Sequence, residues 1–326
     1  MSLTYRLFQE ADLDAVLELW EHHSGWGGIT RQQYHEWYVD TPYEPCISVI
    51  AENEEGQVVG QGMFIPSRLF TDGKEIRSVR ISAPIFHKDY RQSLLSGRNH
   101  PTVGMFLYSL ETIRQMGYEL TYVFPAAGWV PFLQRFPALG LGTWNLASYP
   151  CYELPLTAPE TYSETLDPTL DVRLVTQFGP EYDQLWEEAV GHYPIQCGTI
   201  RRKEWLQWKL GGHLNLEVRN KATEELIGYL SVKKQGGLIV DALARTSADL
   251  RTIYQTAIQS VHHRNPDRLP LPFDTLKGML TADAERALAP IPYERVESYT
   301  FAFGTYLLDE TGVNPAPDQW YLMPDD

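Results

Sequence analysis

Three short patterns occur twice in this chain, in the same order and roughly 170 residues apart. Arg6-Leu7 followed by Leu19-Trp20 returns as Arg173-Leu174 followed by Leu185-Trp186. The spacing of Arg31, Tyr34 and Trp37 returns at Arg202, Trp205 and Trp208. Asn53 followed by Val58-Val59-Gly60 returns as Asn220 followed by Leu226-Ile227-Gly228. Trp and Leu at helical spacing are ordinary core residues, and a repeated core is what a repeated fold needs. Between the copies, Pro155 to Pro168 is rich in Pro, Thr, Glu and Ser and reads as a linker. The expected organisation is therefore a first domain over residues 1–155, a linker over 156–170 and a second domain over 171–326. A length of 326 residues suits two domains.

Composition narrows the class. With 43% hydrophobic residues and both charge signs interspersed, the chain can bury ordinary globular cores. No apolar run is long enough to span a bilayer. The start, MSLTYRLFQEADLD, lacks the basic and apolar regions of a signal peptide, so a cytoplasmic protein with no membrane partner is expected. A net charge of −15 argues against a nucleic-acid partner, which needs a basic face. Cys46, Cys151 and Cys197 lack metal or redox spacing, so small buried hydrophobes are expected, with no disulfide and no metal site.

The first half reads as alternating elements. Thr4 to Phe8 suits a strand, Ala11 to His22 a helix with Leu13, Val16, Leu17 and Trp20 on one face, and Arg31 to Val39 a helix capped by Thr30. Cys46 to Ala51 and Val58 to Ile65 form a hairpin about the turn Glu54-Glu55-Gly56-Gln57, and a turn at Asp72-Gly73 leads into a long central strand. The stretch from Ser78 to Pro125 then reads strand, cationic loop, helix, strand. Val103, Phe106, Leu107, Leu110 and Ile113 make the helical stripe, with Thr102 as N-cap and Gly117 as stop. Free N–H groups and the dipole at such a helix start favour anions. The loop adds Lys88, Arg91 and Arg98 against Asp89. It is either a solvated surface loop or a polyanion site.

This stretch resembles the core of the GCN5-related N-acetyltransferase (GNAT) superfamily. The family's strand-end pattern, roughly Val-x-Pro-Asp-Tyr-Arg, is answered by Phe86, His87, Lys88, Asp89, Tyr90 and Arg91. Its glycine-rich pyrophosphate turn is not matched, because Gln92 and Leu94 stand where the family has glycines. Gly97, Arg98 and Gly104 fall off the family spacing. The resemblance implies an α/β (α+β) fold of two tandem GNAT-like domains, each a mixed, mostly antiparallel sheet flanked by helices. It implies acetyl-coenzyme A or a related acyl-coenzyme A as donor and a small-molecule or peptide amine as acceptor. Ile85, Phe86 and His87 would offer backbone N–H groups to the thioester carbonyl. Lys88, Arg91, Arg98, Thr102, Val103 and Gly104 would surround the coenzyme phosphates. The family's tyrosine acid is answered by Leu133, in Trp129-Val130-Pro131-Phe132-Leu133. No carboxylate stands between Arg77 and Phe86 as a base. His87 is the titratable group left for catalysis, since imidazole works near neutral pH; the alternative is a polar surface histidine. Trp20, Trp37, Trp129 and Trp144 either line an amine pocket or pack the core.

The second half lacks a cationic or glycine-rich loop. Its strand Leu238 to Leu243 runs almost directly into a helix from Ala248 to His262. Asp241 is either catalytic or an edge or interface carboxylate, and His262-His263 complements the helix dipole. Leu269 to Phe273 reads as a strand, Thr281 to Leu288 as a helix and Glu297 to Leu308 as the last strand. Asp318-Gln319-Trp320-Tyr321 resembles the ending of some bacterial tandem members, and an aromatic tail docks on a domain surface. Two rival readings stand beside N-acyl transfer: a degenerate GNAT fold that binds a ligand or partner without turnover, and aminoacyl transfer from charged tRNA. The acidity speaks against the latter.

Overall fold

The structure, a computed structural model, describes residues 2–91, 100–139, 141–163, 167–192, 195–289, 291–309, 312–324 and 326. The expected anion-site residue Arg98 lies outside the described residues, as do Gln92, Leu94 and Gly97. The chain divides into two compact units. Met1–Ala147 with Phe303–Pro317 makes the first, and Ser148–Ala302 with Asp318–Asp326 the second. Contacts thus divide the chain differently from composition: neither unit is a single continuous segment.

In the first unit, β1 (Thr4–Leu7) leads to α1 (Leu13–His23), which buries Leu13, Val16, Leu19 and Trp20. The helix α2 (Arg31–Tyr34) continues as a wider π turn over His35–Val39. Thr30 caps it: its hydroxyl accepts from Gln33 N, and the Gln33 side chain accepts from Thr30 N. Next come β2 (Ile47–Glu52), β3 (Val58–Thr71) and β4 (Lys74–Phe86). Asp72 and Gly73, both at positive φ, turn β3 into β4, as a two-residue hairpin requires. The strand β3 runs beyond the expected Ile65 because its pairing with β4 continues to Thr71. Then follow α3 (Pro101–Gln115), β5 (Leu120–Val123) and α4 (Val130–Gln134). The strand β6 (Asn145–Pro155) leaves this unit after Ala147.

The strand order is β1-β2-β3-β4-β5, antiparallel except for the parallel pair β4-β5. Gly304–Leu307 pairs antiparallel with β5, closing its outer edge. One core lies under α3, where Val103, Phe106, Leu110 and Ile113 meet Val49, Ala51, Val79 and Ile81. Leu107 falls outside the stripe and is exposed. Gly117, at φ +80°, ends the helix, with Tyr118 N donating to Ile113 O. The N-cap is His100 and not Thr102, since the His100 Nδ1 accepts from Thr102 N at 3.1 Å.

The second unit contains β7 (Leu170–Val175), α5 (Glu181–His192), β8 (Cys197–Thr199) and α6 (Lys203–Leu210). It continues with β9 (Leu214–Asn220), β10 (Leu226–Val232), β11 (Ile239–Ala244) and α7 (Ser247–Val261). It ends with β12 (Thr275–Met279), α8 (Ala282–Leu288) and β13 (Glu294–Leu307), whose last residues are those that pair with β5. The order β11-β10-β9-β7 is antiparallel throughout, and β12 pairs with Cys151–Pro155 of β6. No strand forms at Leu269 to Phe273; Pro270 and Pro272 remove two ladder donors there, and pairing starts at Thr275.

One expectation for this unit is corrected, that for His262. Asp241 stands on β11, at the edge of the order β11-β10-β9-β7. It is fully buried, accepting from Arg201 Nε at 2.9 Å and from the Tyr229 hydroxyl at 2.6 Å. His262 does not face the dipole as a cation. Its ring is buried against Ala158 O and the Thr161 hydroxyl, and desolvation holds its pKa below the ordinary value. Cys151 and Cys197 are buried and Cys46 is partly buried, all as free thiols.

Candidate active site

The site grows from a single departure from regular pairing. β4 and β5 run parallel through Ser78–Leu120, Val79–Thr121 and Arg80–Tyr122, and then part. Just past that point β4 bulges. Ser82 faces Met63 and Ile85 faces Gln61, so Ala83 and Pro84 together oppose Gly62. Ala83 adopts φ +44°, a conformation that a residue bearing Cβ holds only under constraint. The adjoining Pro84 has no N–H to give the ladder.

The parting opens a cleft of about 340 Å³. Arg80, Ser82, Ala83 and Pro84 line one side and Val123, Phe124 and Pro125 the other, with Trp20, Phe106, Trp129 and Leu133 adding apolar surface. Trp26 stands at the rim, 60% exposed, its ring 5.9 Å from that of Trp20. A second hollow of about 320 Å³ shares Trp26, Pro84 and Trp129 with the first and continues toward the start of α3. His23, Arg91, His100 and Thr102 supply its polar groups. Each hollow reaches the lower end of the size range usual for small-molecule sites.

Backbone donors at the end of β4 are unequal. His87 N–H donates to Val59 O at 2.8 Å and is spent in the sheet. Alternation along the strand then turns the Phe86 backbone groups away from β3. The Phe86 carbonyl accepts from Arg91 Nε at 2.9 Å on that far side. Of Ile85, Phe86 and His87, the expected carbonyl-binding set, Phe86 is thus the residue whose N–H faces the parted strands.

The expected anion site is largely occupied by the chain itself. Pro101 lacks an N–H, Thr102 N donates to His100 Nδ1, and Gly104 N donates to His100 O. This leaves Val103 N, whose side chain is fully buried. Gly104 serves packing: a Cβ there would stand 2.4 Å from the Tyr5 hydroxyl oxygen. Arg91 ties Phe86 O and His23 O together. Lys88 is exposed and lines none of the hollows described.

The expected catalytic His87 lines neither part of the cleft. It belongs to a separate hollow of about 620 Å³ that also holds Asp12, Glu18 and Asp89. Its ring lies 4.1 Å from that of His23, centroid to centroid. His23, not singled out in the sequence, does reach the second hollow. Partial burial, then the neighbouring His87 and Arg91, keep its pKa below the ordinary value, so it is neutral at pH 7. Its place at the end of α1 resembles an ordinary dipole-complementing histidine, which hid it.

The chain has the fold of GCN5-related N-acetyltransferases. Its solved relatives in structure span nearly all of it. A protein of Enterococcus faecalis V583 described as a probable N-acyltransferase is 11% identical with a TM-score of 0.68, over 95% of this chain and 73% of its own. A GCN5-related N-acetyltransferase of Anabaena variabilis is 12% identical with a TM-score of 0.66, over 94% and 73%. The N-myristoyltransferase of Saccharomyces cerevisiae, with bound myristoyl-CoA, is 11% identical with a TM-score of 0.57, over 94% and 82%. No family model and no curated protein sequence matches the chain.

Proposed function

We propose that the protein is an N-acyltransferase that moves an acyl group from an acyl-coenzyme A, acetyl-coenzyme A among the donors, to an amine. The observation that carries this reading is the parting of β4 and β5 at the Ala83 bulge, which exposes backbone beside an apolar cleft. The donor brings an activated thioester. Phe86 N–H is the group of this chain suited to hold developing charge on the thioester oxygen. His23, neutral at pH 7, is suited to take the proton of the attacking amine. Leu133, buried where the family carries a tyrosine, leaves the thiolate without a protein acid on that side.

The units support a duplication. Each contains, in order, a strand, two helices, three strands, a helix, a strand and a helix, with the short β8 added between the two helices α5 and α6 of the second. Trp20 and Trp186 are both buried, as are Tyr34 and Trp205. Gly60 and Gly228 each sit where a Cβ would collide with the next strand's Phe86 ring or Leu243 carbonyl. In this reading the first unit holds the donor. The second does not, since α7 is closed by Thr246, whose hydroxyl accepts from Asp249 N, and carries no cationic loop.

One observation favours a different reading, ligand binding without turnover: the start of α3 is capped by His100 where a pyrophosphate would need its amides. Titration calorimetry with coenzyme A, acetyl-coenzyme A and a longer acyl-coenzyme A, followed by thiol release over an amine panel, separates the two. Acyl transfer predicts binding and amine-dependent thiol release. Coenzyme binding that is weak or absent, with no thiol release from any amine, supports the ligand-binding reading and overturns acyl transfer.

A further inference from the structure

Arg91 lines the adjoining hollow, and among the described residues lining the 340 Å³ part of the cleft Arg80 is the only charged side chain. Its neighbours on β4, Val79 and Ile81, pack into the core under α3. Side chains alternate along a strand, so Arg80 and Ser82 project from the opposite face. Aromatic residues gather there: Trp20 lies 6.2 Å from Tyr38 and 5.9 Å from Trp26, and Tyr38 is within reach of both Ser82 and Arg80. The guanidinium stands 5.9 Å from the Phe124 ring centre. The cleft therefore joins two chemically different halves, an apolar one toward Phe106 and Leu133 and a cationic, aromatic-walled one toward Trp20 and Trp26.

A cation fixed in an apolar cleft repels an ammonium group and attracts a carboxylate, and a guanidinium holds a carboxylate through two parallel hydrogen bonds. We propose that the acceptor is an α-amino acid with an apolar side chain, its carboxylate held by Arg80 and its side chain set against Trp20 and Trp26. This rests on the N-acyltransferase reading above and adds the acceptor class to it. A positive neighbour also lowers the pKa of the acceptor's own ammonium, which helps supply the neutral nucleophile. The amine nitrogen bonds to the thioester carbon and the C–S bond breaks. The electron pair leaves on sulfur, and the proton lost from nitrogen ends on the thiolate. The products are an N-acyl amino acid and free coenzyme A.

A carboxylate in the cleft has a second source, a dicarboxylic acyl donor, and the test separates the two. Phenylalanine and phenethylamine, which differ by the carboxylate, are titrated into the wild-type protein and into Arg80→Gln, with unchanged far-ultraviolet circular dichroism as the check on folding. Wild-type protein is expected to bind phenylalanine about tenfold or more tightly than phenethylamine. Arg80→Gln is expected to erase that preference while phenethylamine binding stays within about twofold. Equal or better binding of phenethylamine by wild type overturns the proposal without any variant. A preference for succinyl- over acetyl-coenzyme A that disappears in Arg80→Gln, with no preference between the amines, overturns it in favour of the donor as source. If no coenzyme thioester binds but the phenylalanine preference and its loss are seen, the transferase reading fails and the carboxylate site stands. If thioesters bind and turn over on amines while phenylalanine does not bind, the proposal fails alone.

Discussion

His262 keeps its ring inside the second unit, with Nδ1 accepting from Arg264 N at 3.1 Å and Nε2 against Ala158 O at 3.0 Å. Those partners suit the neutral ring with its proton on Nε2; a second proton on Nδ1 would meet an N–H donor. Desolvation lowers its pKa from the ordinary 6.5. The unfolded chain therefore takes up the proton first as pH falls. The stability linked to this ring is complete above pH 6.5 and is lost as pH drops toward the folded-state value. Thermal midpoints measured between pH 5 and 7.5 should fall on the acid side in wild type. His262→Gln should flatten that limb while lowering the plateau. An unchanged acid limb in the variant would assign the effect to other groups.

At the level of elements, α3 is where sequence and structure meet least evenly. Its length, its buried stripe and its Gly117 stop were legible, because apolar spacing and a positive-φ glycine are local signals. Its cap was not. A ring nitrogen of His100 accepts the Thr102 N–H, and histidine stands outside the Ser, Thr, Asp and Asn set by which caps are recognised. The cleft was legible only in part. The order of strand, loop, helix and strand placed it at the end of β4, but did not show which side chains line it. His87 lines the acidic hollow and not the cleft, His23 lines both, and Arg80 lines the cleft where β4 and β5 part. Replacing His100 by Ala tests the cap. Stability should fall by about 1 kcal/mol in denaturant titrations. Inorganic pyrophosphate should bind more tightly by calorimetry, because Thr102 N–H is released. Unchanged pyrophosphate affinity would show that α3 is not an anion site in either state.

For the molecule as a whole, the largest concentration of buried charge among the described residues lies in the second unit. Arg201, fully buried, donates to Asp241 at 2.9 Å, to Thr199 O at 2.8 Å and to both carboxylate oxygens of Asp326 at 2.8 and 2.9 Å. The Tyr321 ring centre is 5.0 Å from the guanidinium, and its hydroxyl donates to Ala242 O at 2.6 Å. The aromatic tail expected to dock on a domain surface is thus fixed in this unit by a buried ion cluster. Burial, with the nearby Asp326 charge, pushes the Asp241 carboxyl up to about 6 against the pull of Arg201. Arg201→Met would leave two buried carboxylates facing each other and should destabilise the protein by about 3–5 kcal/mol in urea titrations. A loss below about 1 kcal/mol would show that the cluster is neutralised by proton uptake instead.

The first unit takes its final strand from Phe303–Pro317, long after its other parts. During synthesis, the outer side of β5 waits with unpaired amides and carbonyls until Phe303–Pro317 has been made. For that interval the nascent chain carries an adhesive edge, and the emergence of residues 303–317, rather than that of residue 147, marks when this half can finish folding.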